Sequence, residues 1–464
     1  MKTNLRAVIY AAIVGLVLVL TAAFAGAQGN IIYALHGIDG SFPGQLALDA
    51  AGNIYGSAGS GGGTGRSCHG CSTIFKLSPA TGVWTETTIY NFTGGADGGA
   101  DYRGVVVDGQ GNLFGVTFVG GTAPCRCGTI FELSPTASGA YSYQLLYSFT
   151  DFSDGGYPLS LVIDAKGNLY ATTQAGGINT NNINCGFGCG AVFELSPPTV
   201  QGGSWTGTPV YAFNGWGDGI TPEGLVLDNA GNLYGFAELG GDEGDPNCYG
   251  AHGCGTAFRL SSASDGSWAF SVIYTFKPSD GAQPLSAPVF DAAGNLYGGG
   301  FAGGKNCAFD ALGCGAIFEL SPPADETSSG EPSSGTWSIT HLHAFSGGYD
   351  GAFPVGPLAF DAAGNIYGAT GGGGSTSCGQ VHGCGTVFKM SPVTGGGWNL
   401  TRLWAFPGQA NGGDGPEAGV ILDAAGNLYS STGFGGYQQN KICKAAKGCG
   451  VIYELPGVAA RLAK

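Results

Sequence analysis

At 464 residues the chain is long enough for several ordinary domains, but its 90 glycines follow no G-X-Y period, which excludes collagen, and 43% hydrophobic with 11% aromatic residues excludes a disordered chain. With 17 basic against 32 acidic side chains, a formal charge of −15, nucleic acid and anionic lipid are excluded as partners. Glycine this dense beside abundant Tyr and Phe suits many short strands joined by tight turns.

The first 27 residues read as a signal peptide. Lys2 and Arg6 form a basic start, Ala7 to Leu20 an apolar run too short for a full membrane span, and Ala25-Gly26-Ala27 a small-residue cleavage site. The expected product is an extracytoplasmic protein with no membrane insertion after cleavage. Residues 30–36 follow as a lone strand, and from there the chain repeats. The string D-x-x-G-N-[LI]-[YF] begins at Asp49, Asp108, Asp164, Asp228, Asp291, Asp361 and Asp423, at intervals of 56 to 70 residues. Seven copies at this spacing fit one four-stranded blade each, with blades starting near residues 44, 104, 160, 224, 287, 357 and 419.

Each copy predicts the same four strands. Strand a ends at the aspartate, as in Gly224-Leu225-Val226-Leu227-Asp228, and strand b follows the turn, as in Asn232-Leu233-Tyr234-Gly235. A glycine-rich loop with two cysteines leads to strand c, as in Gly128-Thr129-Ile130-Phe131-Glu132-Leu133. Strand d alternates, as in Gln144-Leu145-Leu146-Tyr147-Ser148-Phe149. The seven aspartates are read as turn formers, because an Asp carboxylate accepts backbone N–H groups two residues on and the following Gly supplies a positive φ.

The two ends fix the architecture. Ile32-Tyr33-Ala34-Leu35 matches strand d, while the last repeat stops at strand c, Val451-Ile452-Tyr453-Glu454-Leu455. An N-terminal strand that completes the last sheet closes a ring and removes the exposed edges. The fold class is therefore all-β, a seven-bladed β-propeller over residues 30–455, with 456–464 as a short tail.

The runs Leu146-Tyr147-Ser148-Phe149, Gly217-Asp218-Gly219, Asp291-Ala292-Ala293-Gly294-Asn295-Leu296-Tyr297-Gly298 and Cys189-Gly190-Ala191-Val192-Phe193-Glu194-Leu195-Ser196-Pro197 resemble the GloVer tandem-repeat family of extracellular bacterial proteins. The resemblance spans about Asn30 to Leu455 and implies export and a repeat architecture, but no reaction and no catalytic residues. Members of that family often carry a C-terminal sorting anchor. None is seen in Val458–Lys464, so the expectation is a released or periplasmic protein.

The 14 cysteines fall into local pairs within the b–c loops: Cys68/Cys71, Cys125/Cys127, Cys185/Cys189, Cys248/Cys254, Cys307/Cys314, Cys378/Cys384 and Cys443/Cys449. In an exported chain they read as disulfides. Zinc is the rival, since His69, His252 and His382 each stand two residues before a cysteine, but each blade offers at most three of the four ligands zinc wants. The Cys125/Cys127 pair, with one intervening residue, stays open between a bridge and free thiols.

Candidate chemistry is sparse. Strand a residues such as Leu46 to Leu48, Val105 to Val107 and Leu225 to Leu227 are expected to line the central channel as packing material without titratable groups. At its mouth Glu223, Glu417 and Arg103 break the pattern, either as scattered charge on a solvated rim or as an acid–base set for a glycan. The Asp-Gly pairs of the d–a loops, at Asp39, Asp97, Asp154, Asp218, Asp280, Asp350 and Asp414, share a face with the cysteine loops. They are turns first and a weak calcium cage second. His343 stands where other copies have Tyr or Trp and is read as a packed aromatic substitute, with His341 beside it as a conceivable metal partner. The strand c charges Lys76, Glu132, Glu194, Arg259, Glu319, Lys389 and Glu454 are read as solvated or paired between blades. No cofactor is implied. The leading expectation is a monomeric, non-catalytic propeller that presents its disulfide-pinned acidic loops to a protein or glycan. The alternatives are a secreted carbohydrate-active enzyme with its site at the channel mouth, and a structural envelope protein.

Overall fold

The computed structural model describes residues 29–62, 71–100, 103–177, 185–200, 202–242, 248, 252–305, 307, 312–323, 336–375, 382–408, 412–439, 441–445 and 447–459. The predicted signal peptide, residues 1–27, lies outside them, as do Cys68, His69 and Cys378. The described strands form seven antiparallel sheets arranged as a seven-bladed β-propeller. Blade 4 shows the plan: strand a is Ile220–Leu227, b Leu233–Leu239, c Thr256–Ser262 and d Trp268–Thr275, paired in that order.

The turn between a and b follows from its sequence. Asp228 Oδ1 accepts the N–H groups of Ala230 and Asn232 at 2.9 and 2.8 Å, and Oδ2 accepts Asn232 Nδ2 at 2.7 Å. The same set recurs at the other six aspartates, and in blades 1, 3, 5, 6 and 7 the strand b tyrosine hydroxyl joins it, as Tyr367 does to Asp361 at 2.9 Å. In blades 1, 2, 4, 5 and 6 a glycine after that aromatic makes room for the strand c phenylalanine, while Ala171 and Ser430 stand there in blades 3 and 7. A Cβ on Gly235 would lie 2.4 Å from the Phe258 ring.

Hydrophobic burial runs between blades. Seven clusters each join neighbouring sheets, as Tyr55 and Ile74 of blade 1 meet Val105, Leu113 and Phe131 of blade 2. The seam between last and first blades is packed in the same way, with Tyr429 and Ile452 against Leu46, Ile54 and Phe75. Each such side chain removed from water stabilises the ring by roughly 1.5–3 kcal/mol.

The ring closes through the N-terminal strand, Asn30–Ala34, which pairs antiparallel with Val451–Leu455 in the register Asn30↔Glu454 to Ala34↔Val451. It carries a bulge at Ile32, the position bulged in every other strand d: Ile89, Leu146, Val210, Ile273, Leu342 and Leu403. The N-terminal segment is thus a strand d in full, irregularity included. Across the seam Ser431 Oγ donates to the carbonyls of Pro43 and Gly44 at 3.0 and 2.9 Å.

Other features depart from the sequence reading. The strand c charges pair within their own blade. Lys76, Arg259 and Lys389 sit over the cross-strand rings of Tyr55, Tyr234 and Tyr367, and Glu454 accepts the Tyr429 hydroxyl. The tail is docked: Ala459 N–H donates to Gly426 O, and Tyr367 to Val458 O, each at 3.0 Å. A short helix, Lys441–Ala445, occupies the b–c loop of blade 7.

Candidate functional site at the axial channel

Glycines set how closely the innermost strands converge. A Cβ on Gly224 would lie 2.7 Å from Ala287 of the next blade, and one on Gly104 2.4 Å from Gln45 O. Strand a of all seven blades surrounds a cavity of about 560 Å³ on the axis. Glu223, Glu417 and Arg103 all line it, so three residues far apart in sequence come to one place.

Arg103 and Glu417 are exposed, as on a solvated rim, but Glu223 is not. Glu223 lies inside strand a of blade 4 and is only 6% exposed. Strand a there begins at Ile220, directly after the Asp-Gly turn, so it includes a titratable group that the expected packing strand lacked. Arg103 reaches from blade 2 past blade 3, and its Nη1 donates to Glu223 Oε2 at 3.1 Å. Burial pushes the Glu223 carboxyl up to about 7; the nearby Glu238 charge adds to this and Arg103 opposes it. Glu238 is raised by burial against the pull of Arg103 and of Gln283, whose Nε2 donates to Glu238 Oε1 at 3.3 Å. Glu417 is open to the channel, yet the surrounding protein also raises its carboxyl. A carboxyl that exchanges its proton near neutrality, beside a fixed guanidinium, can donate or accept a proton and can hold a polar ligand.

Glu238, Gln283 and the aromatic residues nearby were not legible as site residues. They occupy two positions that vary around the ring while the a–b turn and the core positions recur. The fifth residue after the start of strand b is Gly59, Phe118, Gln174, Glu238, Phe301, Gly371 or Gly433. The residue before the strand a proline is Phe42, Tyr157, Thr221, Gln283, Phe353 or Gly415, each with φ between 55° and 63°. Its N–H donates to the carbonyl of the preceding blade's second cysteine, as Tyr157 does to Cys127 at 2.7 Å. Across the seams the two positions meet: Phe118 stacks on Tyr157 at 4.9 Å, and Phe301 on Phe353 at 5.0 Å.

The cysteine and Asp-Gly loops surround this mouth and are tied together. Gly62, Gly121, Gly177, Gly241, Gly304 and Gly374 donate to carbonyls of the adjoining d–a loop. Bridges link Cys125–Cys127, Cys185–Cys189, Cys248–Cys254, Cys307–Cys314 and Cys443–Cys449, while Cys71 and Cys384 are disulfide-bonded with predicted partners outside the described residues. Disulfides throughout the ring fit an extracytoplasmic compartment.

The Asp-Gly carboxylates are engaged by the strand d aromatics. Tyr90, Tyr147, Tyr211 and Tyr274 donate to Asp97, Asp154, Asp218 and Asp280 at 2.7 to 3.1 Å. His343 takes the tyrosine's role, with Nε2 3.0 Å from Asp350, whereas His341 Nε2 is 3.0 Å from Asp280, so the two histidines serve different loops. Asp414 is out of register with the other Asp-Gly pairs. Gly415 takes the left-handed position before Pro416, which puts Gly412 where the others have aspartate. The preceding strand d accordingly carries Trp404, which has no hydroxyl to give. Among the described residues no group of three or more His, Cys, Asp or Glu is placed to hold a metal ion.

Several solved structures share the fold. The extracellular domain of a putative one-component system from B. thetaiotaomicron matches at 11% identity and a TM-score of 0.50, over 93% of this chain and 40% of that one. The chain thus spans about two fifths of that domain's length. A fungal alcohol oxidase in complex with copper matches at 14% and 0.52, over 95% and 79% of the two chains. A puromycin-hydrolyzing peptidase of Mycobacterium tuberculosis matches at 10% and 0.50, over 93% and 55%. At these identities the likeness concerns the fold alone. No curated protein sequence matches the chain. The Gloeobacter/Verrucomicrobia repeat matches residues 15–183 and 247–457, and by that match the chain belongs to the Gloeobacter/Verrucomicrobia repeat family.

Proposed function

We propose that this propeller is a released or periplasmic glycan-binding protein, acting as a monomer, whose ligand seats in the axial cavity. The observation that carries the reading is where the repeats stop being equivalent. Turns, core and cysteine loops recur from blade to blade, whereas the residues around the cavity range from glycine through phenylalanine and tyrosine to glutamine and glutamate. A site for one asymmetric ligand requires such a break, and a purely structural ring does not. The mix of stacked rings with Arg103, Glu223 and Gln283 suits a polyhydroxylated ligand with flat apolar faces. A glycan array on the oxidised mature protein tests it. Binding that Arg103→Ala and Glu223→Ala both weaken supports the reading; binding that neither changes, or no glycan binding at all, sinks it.

One observation favours a second reading, a carbohydrate-active enzyme. Glu223 titrates near neutrality, as a general acid should, and Glu417 faces the same cavity. New sugar ends released from a polysaccharide by the wild type and not by Glu223→Gln would establish it. Binding without product release leaves the binder.

A further inference from the structure

The wall of the cavity continues outward on one side as a row of aromatic rings. Phe118 lines the cavity and stacks on Tyr157 at 4.9 Å, Tyr157 meets Phe152 at 5.5 Å, and Phe152 stacks on Phe187 at 5.4 Å. Phe187 lies inside the loop closed by Cys185–Cys189 and is 66% exposed. One seam further on, the same two loop positions hold Trp216 and His252, stacked at 5.6 Å with their planes 3° apart. In the other five copies the position of Phe152 and Trp216 is filled by Gly37, Gly95, Pro278, Gly348 and, in the shifted register before blade 7, Ala410, so ring pairs at these two loop positions are confined to blades 2 to 4. That sector also holds Arg103, Glu223 and Glu238. Phe152 keeps a φ of 67°, a conformation that suits the glycine found at Gly37 better than a phenylalanine.

We propose that a non-acidic polysaccharide strand lies along this sector, with sugar faces on Phe187 and on the Trp216/His252 pair and its end in the axial cavity. The proposal rests on the glycan-binding reading and extends it to a ligand class and a direction. Hexopyranose rings present flat C–H faces that pack on aromatic rings, while their hydroxyls point sideways to polar groups such as the exposed Gln174. The row is continuous with the cavity, so an oligomer gains contacts with each added unit. Charge selects against uronates: the protein carries a formal −15, and three carboxylates stand at the inner end. An extended peptide that adds a strand is disfavoured, because the innermost strands converge too closely for another strand to enter, as a Cβ on Gly224 would lie 2.7 Å from Ala287 of the next blade.

The test is calorimetric titration of the oxidised protein with cello- and chito-oligosaccharides from disaccharide to hexasaccharide, with oligogalacturonides as the acidic counterpart. Affinity should rise with length for a non-acidic series. Phe187→Ala and Trp216→Ala should each weaken hexasaccharide binding about tenfold, the usual effect of losing one aromatic anchor, and leave the disaccharide unchanged. Quenching of tryptophan fluorescence by the hexasaccharide should shrink in Trp216→Phe, whose thermal unfolding serves as the folding control. Affinity that does not depend on length, or equal losses for short and long ligands, overturns the track while leaving the cavity reading intact. Tighter binding of oligogalacturonides overturns the ligand class. If no oligosaccharide binds the wild type, the glycan-binding reading itself falls.

Discussion

Replacing Glu223 with Gln should change how stability depends on pH, by an amount that the site's geometry sets. The carboxyl rises from 4.5 to about 7 because it is buried in strand a beside Glu238. In the unfolded chain it ionises near its ordinary value. Between those two values the native state holds a proton that the unfolded state has released, so wild-type stability falls as pH rises through that window. At about 1.36 kcal/mol per unit, the native state carries a penalty of about 3 kcal/mol above pH 7 that is absent below pH 4.5. Glutamine cannot ionise and carries none of it, while any change in its contact with Arg103 is largely independent of pH. The stability of Glu223→Gln relative to wild type should therefore climb by about 3 kcal/mol between acid and mildly alkaline pH. Guanidinium unfolding of both proteins with disulfides intact, at matched pH values across this range, measures the difference directly. A difference that stays flat within about 1 kcal/mol would show that Glu223 is better solvated than its place in the fold implies, and would remove the physical basis for its role as an acid.

Three further outcomes follow from the fold. Removing residues up to Leu35 strips the last sheet of Ile32, Tyr33 and the buried Leu35; the ring should lose on the order of 5 kcal/mol, and a synthetic peptide spanning the deleted strand should restore part of the melting temperature. Asp361→Ala leaves the buried Asn365 amide without the carboxylate it donates to at 2.8 Å, and should cost roughly 2–3 kcal/mol, with Asp361→Asn milder, as read by chemical denaturation. Cys443→Ser with Cys449→Ser opens one small loop and should cost roughly 2 kcal/mol, with amide exchange rising first in the short helix beside it.

Much of the fold was legible because it is local and repeated. The Asp-x-x-Gly-Asn turn makes its hydrogen bonds within a handful of residues. Ile32-Tyr33 could be matched to strand d on residue type alone, and the structure adds that it shares even the bulge. Register was less legible. Asp414-Gly415 looks like its six counterparts, and only the cysteine carbonyl bound by Gly415 reveals a shift of two residues, which explains Trp404 in the same stroke. Glu223 was visible as an exception to the pattern, but not as a buried one, because how far a strand extends depends on what its neighbour covers.

The repeat number, the turns, the cysteine pairing and the exchange of a strand between the chain ends are all written in segments that interact with near neighbours or with their own copies. The site is of another kind. Arg103, Glu223, Gln283 and Glu417 come from four different blades, and nothing short-range links them. They come near one another because the ring of inner strands brings every repeat to a common axis. Burial there, and with it the proton affinity of Glu223, depends on that convergence rather than on any stretch of chain.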